Sequence, residues 1–480
     1  MLHAWSRWAA TLVFALFLEA CAVAPLPPGP TATPVVAAAT LAPPAQTPTR
    51  PAVVDPAPAS LTATPTLPGS TDTPSPLPPT PGPTGTLGAT SRGRMENFEL
   101  LGHDTLDGRG WNAGLALAYP CAYVGNRRLP SIAIVDVSDP ARPLPAGTIS
   151  LAPGLEPVEL RAVPELGLLV VLNFSAGVSL MTYDVNDCRQ PRPLATVALG
   201  AAPHEFYLWR DPARPGRLLA FVAMWAHQKP DLQVIDLTDP ASPQRLGQWQ
   251  ADTGAGTLHS ISLSPDGRTA YLSMWEGGLL LADASDYALG RPAPSLRVLN
   301  PRDALLPPPR VDVHSAVPLA DAHYVLLTQE YYSCPFGGLS VVDVRDPARP
   351  VLAGRFDLPE NAGQCASLPA ADAVFTAHNP LVVGPLAFVS WYAGGLQAFD
   401  LSDPRAPVRT GLFVPDGLGP LGGSPYGGYP VQVWSYPILR AGVIYVSDIR
   451  GGLFVLRYTG RGAAAVNAVG LAQGNANTLP

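Results

Sequence analysis

Four histidines recur in similar settings, and what they can do depends on whether the fold gathers them. His204 stands near the start of PHEFYLW, His259 of LHSISLS, His314 of VHSAVPL and His378 of AHNPLVV. Neutral imidazole is a ligand for iron, copper, zinc and nickel. A carboxylate beside a ligating imidazole fixes its tautomer, a part that Glu205 or Glu330 would fill. One transition-metal ion (Fe, Cu or Zn) on His204, His259, His314 and His378 is therefore one expectation. The other is structural: a polar residue repeated along a chain often hydrogen-bonds a neighbouring turn. Such a role has no reason to stop at four successive units, whereas a site has. Glu276 and the tryptophans Trp225, Trp275 and Trp391 are expected on the same rim, giving an aromatic-walled cup. His3, His227 and His323 are assigned no part.

Other chemistry is thinly represented. Asp136, Asp184, Asp236, Asp283, Asp343 and Asp400 recur at intervals of 47 to 60 residues. Most stand just before an Asp-Pro step, where a carboxylate most simply caps the backbone N–H groups of a turn. The sequence holds no Ser-His-Asp arrangement with a nucleophile elbow, no phosphate-cradling glycine loop and no CxxC.

The elements that would position the histidines follow from an internal repeat. IAIVDVSDPARPLPAGTI begins at Ile132, LQVIDLTDPASPQRLGQW at Leu232, LSVVDVRDPARPVLAGRF at Leu339 and LQAFDLSDPRAPVRTGLF at Leu396, with weaker copies from Leu180 and Leu279. Apolar alternation of period two, broken by Asp-Pro and resumed, means strand, turn, strand. A second pair of strands precedes most copies, as in HNPLVVGPLAFVSWYAGG from His378, ending in Gly-Gly turns at Gly277, Gly337, Gly394 and Gly451. Four strands per unit is the blade of an all-β propeller. Six units are complete. Residues after Trp434 supply three further strands and NFELLGHDTL supplies one, so a seventh blade closed by an N-terminal strand is expected. In a propeller the first strand of each blade lines the central channel, so the four histidines converge on one mouth.

The phrasing VVDVRDPARP, the GHDTLDGRGWNA opening, FTAHNPLVV and GVIYVSDIRGGL resemble the LVIVD-repeat proteins, bacterial secreted and surface propellers. The resemblance implies the fold and implies no activity.

The flanks carry an address. Trp8 to Leu18 is apolar but short for a permanent span, and residues 1–21 end in Leu18-Glu19-Ala20-Cys21, which reads as a signal peptide with a lipobox-like end. Cys21 is then the lipidated residue, and two acyl chains anchor stably where one would not. Residues 22–95 hold 19 prolines and no aromatic side chain; such a stretch cannot offset its ordering entropy and is expected to be a disordered stalk. The propeller is placed at 96–460 and a flexible tail at 461–480. Blade topology brings Cys334 and Cys365 to the His-bearing face and Cys121 and Cys188 to the opposite one, so those two disulfides are expected, as suits an oxidising compartment.

The formal charge is −7, Lys229 is the only lysine and no basic stripe exists, so nucleic acid is not an expected partner. The overall reading is an exported, lipid-anchored monomer. It acts as a binding or scaffolding module for a protein, glycan or small ligand on the His-bearing face, or as a metal-dependent enzyme of oxidoreductase type.

Overall fold

The computed structural model describes residues 93–175, 177–225, 230–251, 256–301, 304, 306, 312–366, 374–417 and 431–477. Cys21, the segment 1–21 and the stalk up to residue 92 lie outside them, as do His3 and His227.

Seven antiparallel sheets follow one another along the chain. Blade 1 comprises Asn112–Ala118, Cys121–Asn126, Ser131–Asp136 and Leu144–Ser150, and the next four blades repeat this order with first strands Pro157–Val163, Pro203–Arg210, Leu258–Leu263 and Val313–Pro318. Blade 6 starts at Pro380–Val383 and blade 7 at Ile438–Arg440. Burial explains the amphipathic pattern. Asn112–Ala118 is buried throughout, whereas the outermost strand Leu144–Ser150 faces solvent at five of its seven positions and is half-buried at one other. The apolar core therefore lies between neighbouring blades, where Tyr123 and Ile134 of blade 1 meet Leu160 and Leu169 of blade 2.

The repeated aspartates form the third-to-fourth strand turns. Asp136 accepts the backbone N–H of Ser138, Asp236 that of Thr238, Asp343 that of Arg345 and Asp400 that of Ser402. These are Asx turns, each residue supplying an acceptor two positions on. Arg189 and Arg192 hold Asp136 and Asp184 in ion pairs. In blade 4 a short helix, Ser285–Leu289, replaces the Asp-Pro turn, and the fourth strand shrinks to Arg297–Val298.

The ring closes through blade 7, whose outer strand is Phe98–Asp104, paired with Gly452–Tyr458. Two boundaries move. Arg94–Glu96 pairs with Val408–Val414, so ordered structure begins before residue 96. The segment after 460, expected to be flexible, is built into the fold: Ala463–Asn467 is helical, Val466 is fully buried, and Leu471–Gln473 pairs with Ile438–Arg440 on the channel side of blade 7. Its Ala, Gly and Asn residues read as linker, but the same small side chains are what a narrow channel admits.

Both expected disulfides are present. Cys121–Cys188 joins blades 1 and 2 with Cα atoms 5.7 Å apart, and Cys334–Cys365 ties the second-to-third strand loop of blade 5 to the helix Glu360–Ala366 with Cα atoms 5.5 Å apart.

Candidate metal centre

A repeated irregularity in the first strands presents the histidines. Pairing between first and second strands slips between Pro203 and Phe206, between Leu258 and Ser260, and between Val313 and Ser315. A β-bulge re-aims the residue it contains; here those residues include His204, His259 and His314. The slip recurs between Asn112 and Leu115 and between Pro157 and Glu159. A backbone bond fixes the equivalence. The residue after the second strand donates to the carbonyl two positions before the bulged residue, as from Trp225 to Ala202, Trp275 to Thr257 and Glu330 to Asp312. The same bond runs from Arg127 to Trp111, Phe174 to Glu156 and Ile449 to Gln432. The His-equivalent positions of the other three blades are thus Ala113, Val158 and Trp434.

The four imidazoles form a continuous row. Ring centroids are 4.0 Å apart for His204 and His259, 4.2 Å for His259 and His314, and 4.0 Å for His314 and His378. His259, His314 and His378 are buried to within 2% of full, while His204 is half-buried.

Their Nδ1 atoms face the protein. His259 Nδ1 bonds the carbonyl of His314 at 3.1 Å, His378 Nδ1 that of Trp434 at 2.8 Å, and His314 Nδ1 the Ser315 hydroxyl at 2.8 Å. His204 Nδ1 is buried without a partner. The three Nε2 atoms so left meet carboxyl oxygens: Glu330 stands 3.9 Å from His259, 3.8 Å from His314 and 3.8 Å from His378, and Glu205 Oε1 stands 3.5 Å from His314. Glu205 and Glu330 therefore face the ligand side of the rings and do not orient them through Nδ1, because in these rotamers Nδ1 lies against the backbone.

Each carboxyl is held in turn. Tyr332 and Tyr392 both donate their hydroxyls to Glu330. Tyr436 donates to Glu205 Oε2 at 2.7 Å and Asn475 Nδ2 at 3.3 Å. Beneath them the buried pair Arg161–Glu159 is closed at 2.8 Å, with the guanidinium over the ring of Tyr436 at 4.7 Å. None of these four partners, nor Arg161, carries a spacing signal in the sequence; only the ring brings them to the histidines.

The aromatic wall is partly as expected. Trp225 packs on His204 at 4.4 Å and Trp275 stacks on His259 at 4.6 Å. Trp391 is turned into the core, its indole N–H bonded to the Phe375 carbonyl, and Tyr392 takes its place 4.7 Å from His378. Phe174 and Trp434 flank the two ends of the row. Glu276 lies exposed on the rim and accepts the backbone N–H of Thr257.

Burial sets the protonation states. It pushes His259, His314 and His378 well below the ordinary imidazole value, helped for His259 and His314 by their neighbours in the row, and it lowers His204 to about 3. Burial also raises Glu330 to about 7, against the two phenol donors, and lifts Glu205 well above the carboxylate range. Neutral imidazoles and a buried carboxyl are what a metal ion takes up on binding, releasing the carboxyl proton. His204, Glu205 and His259, and likewise His259, His314 and Glu330, place their ligand atoms within 4.8 Å of one another.

A seven-bladed propeller with a histidine and carboxyl cluster at one channel mouth is the class of protein defined by this geometry. Residues 122–149 and 334–358 match the LVIVD repeat, so this seven-bladed propeller carries that repeat at two places. No curated protein sequence matches it. Among solved structures, hydrazine synthase from Kuenenia stuttgartiensis is similar at 14% identity and a TM-score of 0.48, over 72% of this chain and 96% of that one.

Proposed function

We propose that the chain is an exported metal-binding propeller, anchored through a lipidated Cys21, in which one ion of iron, copper or zinc is held by His204, His259, His314 and His378 with Glu330. One observation carries the reading: Nδ1 of three histidines is fixed by protein oxygens while each Nε2 is left facing a carboxyl. That division of the ring is the outer-partner pattern of metal-ligating histidine. The burial cost points the same way. Two carboxyls and four imidazoles removed from water are unfavourable as a metal-free group, and a dication offsets the desolvation of the carboxylates.

Bound iron or copper would supply one-electron chemistry and zinc Lewis acidity. The chain's own residues supply the rest. Trp225 and Trp275 exclude water from the faces of His204 and His259, and Tyr332 and Tyr392 fix the orientation of Glu330. A protein, glycan or small ligand reaching the His-bearing face would meet this centre, so a binding role and a metal role share one site.

Metal analysis of protein purified without a nickel column tests the proposal. About one ion per folded chain is expected, as for a site with a complete ligand set. No stoichiometric metal, together with an unaltered melting temperature in His259→Ala, would remove the reading.

A further inference from the structure

The C-terminal segment enters the propeller channel. After the helix Ala463–Asn467, Leu471–Gln473 adds a strand inside blade 7, and Gln473 Nε2 donates across to the Ala162 carbonyl of blade 2 at 2.9 Å. Ala476 then bridges in parallel to Leu208 of blade 3, and Asn477 closes on Arg210 from both sides, accepting its N–H at 2.6 Å and donating to its carbonyl at 2.7 Å. The segment thus touches the first strands of blades 7, 2 and 3 and lies on the side of Glu205 away from the histidine row.

Between these attachments sits Asn475, buried, with a left-handed φ of 60°. Its Nδ2 donates to the Phe206 carbonyl at 2.8 Å and to Glu205 Oε2 at 3.3 Å. Glu205 Oε2 also takes the Tyr436 hydroxyl, so two donors occupy one oxygen and turn the other, Oε1, towards His314 Nε2. Tyr436 is itself packed against the segment: a Cβ added at Gly474 would lie 2.3 Å from its ring.

We infer that the C-terminal segment is part of the metal centre, with Asn475 a positioning residue that fixes the Glu205 carboxyl against the histidine row. The inference rests on the metal reading above. Outer partners of this kind are worth roughly 10- to 100-fold in metal affinity.

The test uses the full chain and cobalt(II), whose visible bands report its ligand field. Asn475→Gly removes the side chain at a position whose positive φ suits glycine, and Asn475→Asp keeps the shape while replacing the donor with an acceptor. Expected are uptake by the wild type, a roughly 10-fold or greater loss of cobalt affinity in both variants with displaced bands, and a similar displacement in Glu205→Gln. Tyr436→Phe, which removes the other donor to Oε2 while keeping the ring that packs against Gly474, gives the same readout should either Asn475 variant fail to fold. Wild-type binding with unchanged affinity and bands in the folded variants overturns the role of Asn475 and leaves the metal site standing. Absence of cobalt uptake by the wild type overturns both.

Discussion

The Glu330 carboxyl and the His378 imidazole face each other with Oε1 3.8 Å from Nε2, and neither group can turn away. His378 is locked by its Nδ1 bond to the Trp434 carbonyl, and Glu330 by two phenols. The pair comes from different blades, 5 and 6, so it reports the assembled ring and no single repeat.

Glu330→Gln keeps the shape of this group and removes its charge. Metal affinity should fall by at least ~10-fold, and His259→Ala, which removes an imidazole, should lose more than the ~100-fold upper range of outer partners. Competition against a chelator of known affinity measures both. Equal affinity in Glu330→Gln and wild type would place the ion away from this carboxyl.

Acid should destabilise the metal-free histidine row. The four imidazoles have folded values well below the ordinary one, so the unfolded chain takes up their protons below about pH 6.5 and the folded chain does not. Glu330 and Glu205 act oppositely, since raised folded values keep protons that the unfolded chain releases above about pH 4.3. The neutral row therefore takes up protons on unfolding between about pH 6.5 and 5, opposed by the raised carboxyls of Glu330 and Glu205 and by those of Asp312, Glu159 and Asp448. Acidification across that window should lower the urea midpoint less in His259→Ala than in the wild type, and an equal response in the two would contradict the neutral state of the row.

The Cys334–Cys365 bridge closes a loop of 31 positions. By the chain-entropy relation its loss in Cys334→Ser with Cys365→Ser should cost about 3–4 kcal/mol. Denaturant unfolding of the double variant measures this. Because Cys334 stands four positions from Glu330, the same variant should also bind metal more weakly.

Ring closure depends on the strand Phe98–Asp104. Without it Gly452–Tyr458 becomes an exposed sheet edge, which templates association. Chains starting at Gly93 should remain monomeric, whereas chains starting at Thr105 should aggregate on gel filtration. Monomeric behaviour of the shorter chain would show that the other strands hold the ring by themselves.

The blades were legible because a period of two and an Asp-Pro turn are local signals, and the ring followed from counting strands at both ends. The histidines were legible for the same reason, each standing at one place in its repeat. Their carboxyl donors were not. Tyr392 follows a tryptophan that holds the expected place, and its backbone φ of 33° is what brings it forward. Asn475 lies in an Ala-, Gly- and Asn-rich stretch whose composition argues for a coil. Only the channel, an object made by seven distant segments, gives those residues a surface to fold against.

Arg457 of the last outer pair bonds Glu99 across 358 positions, and the segment inside blade 7 comes later still. Residues from both sides of the ring must therefore be present together before Glu205 is held in place. Contacts of such long separation form slowly. A chain emerging from a ribosome would have all four histidines in hand well before the ring brings them together, so the ion of the proposed reading would be taken up only where the finished ring closes and would be drawn from the ions available there.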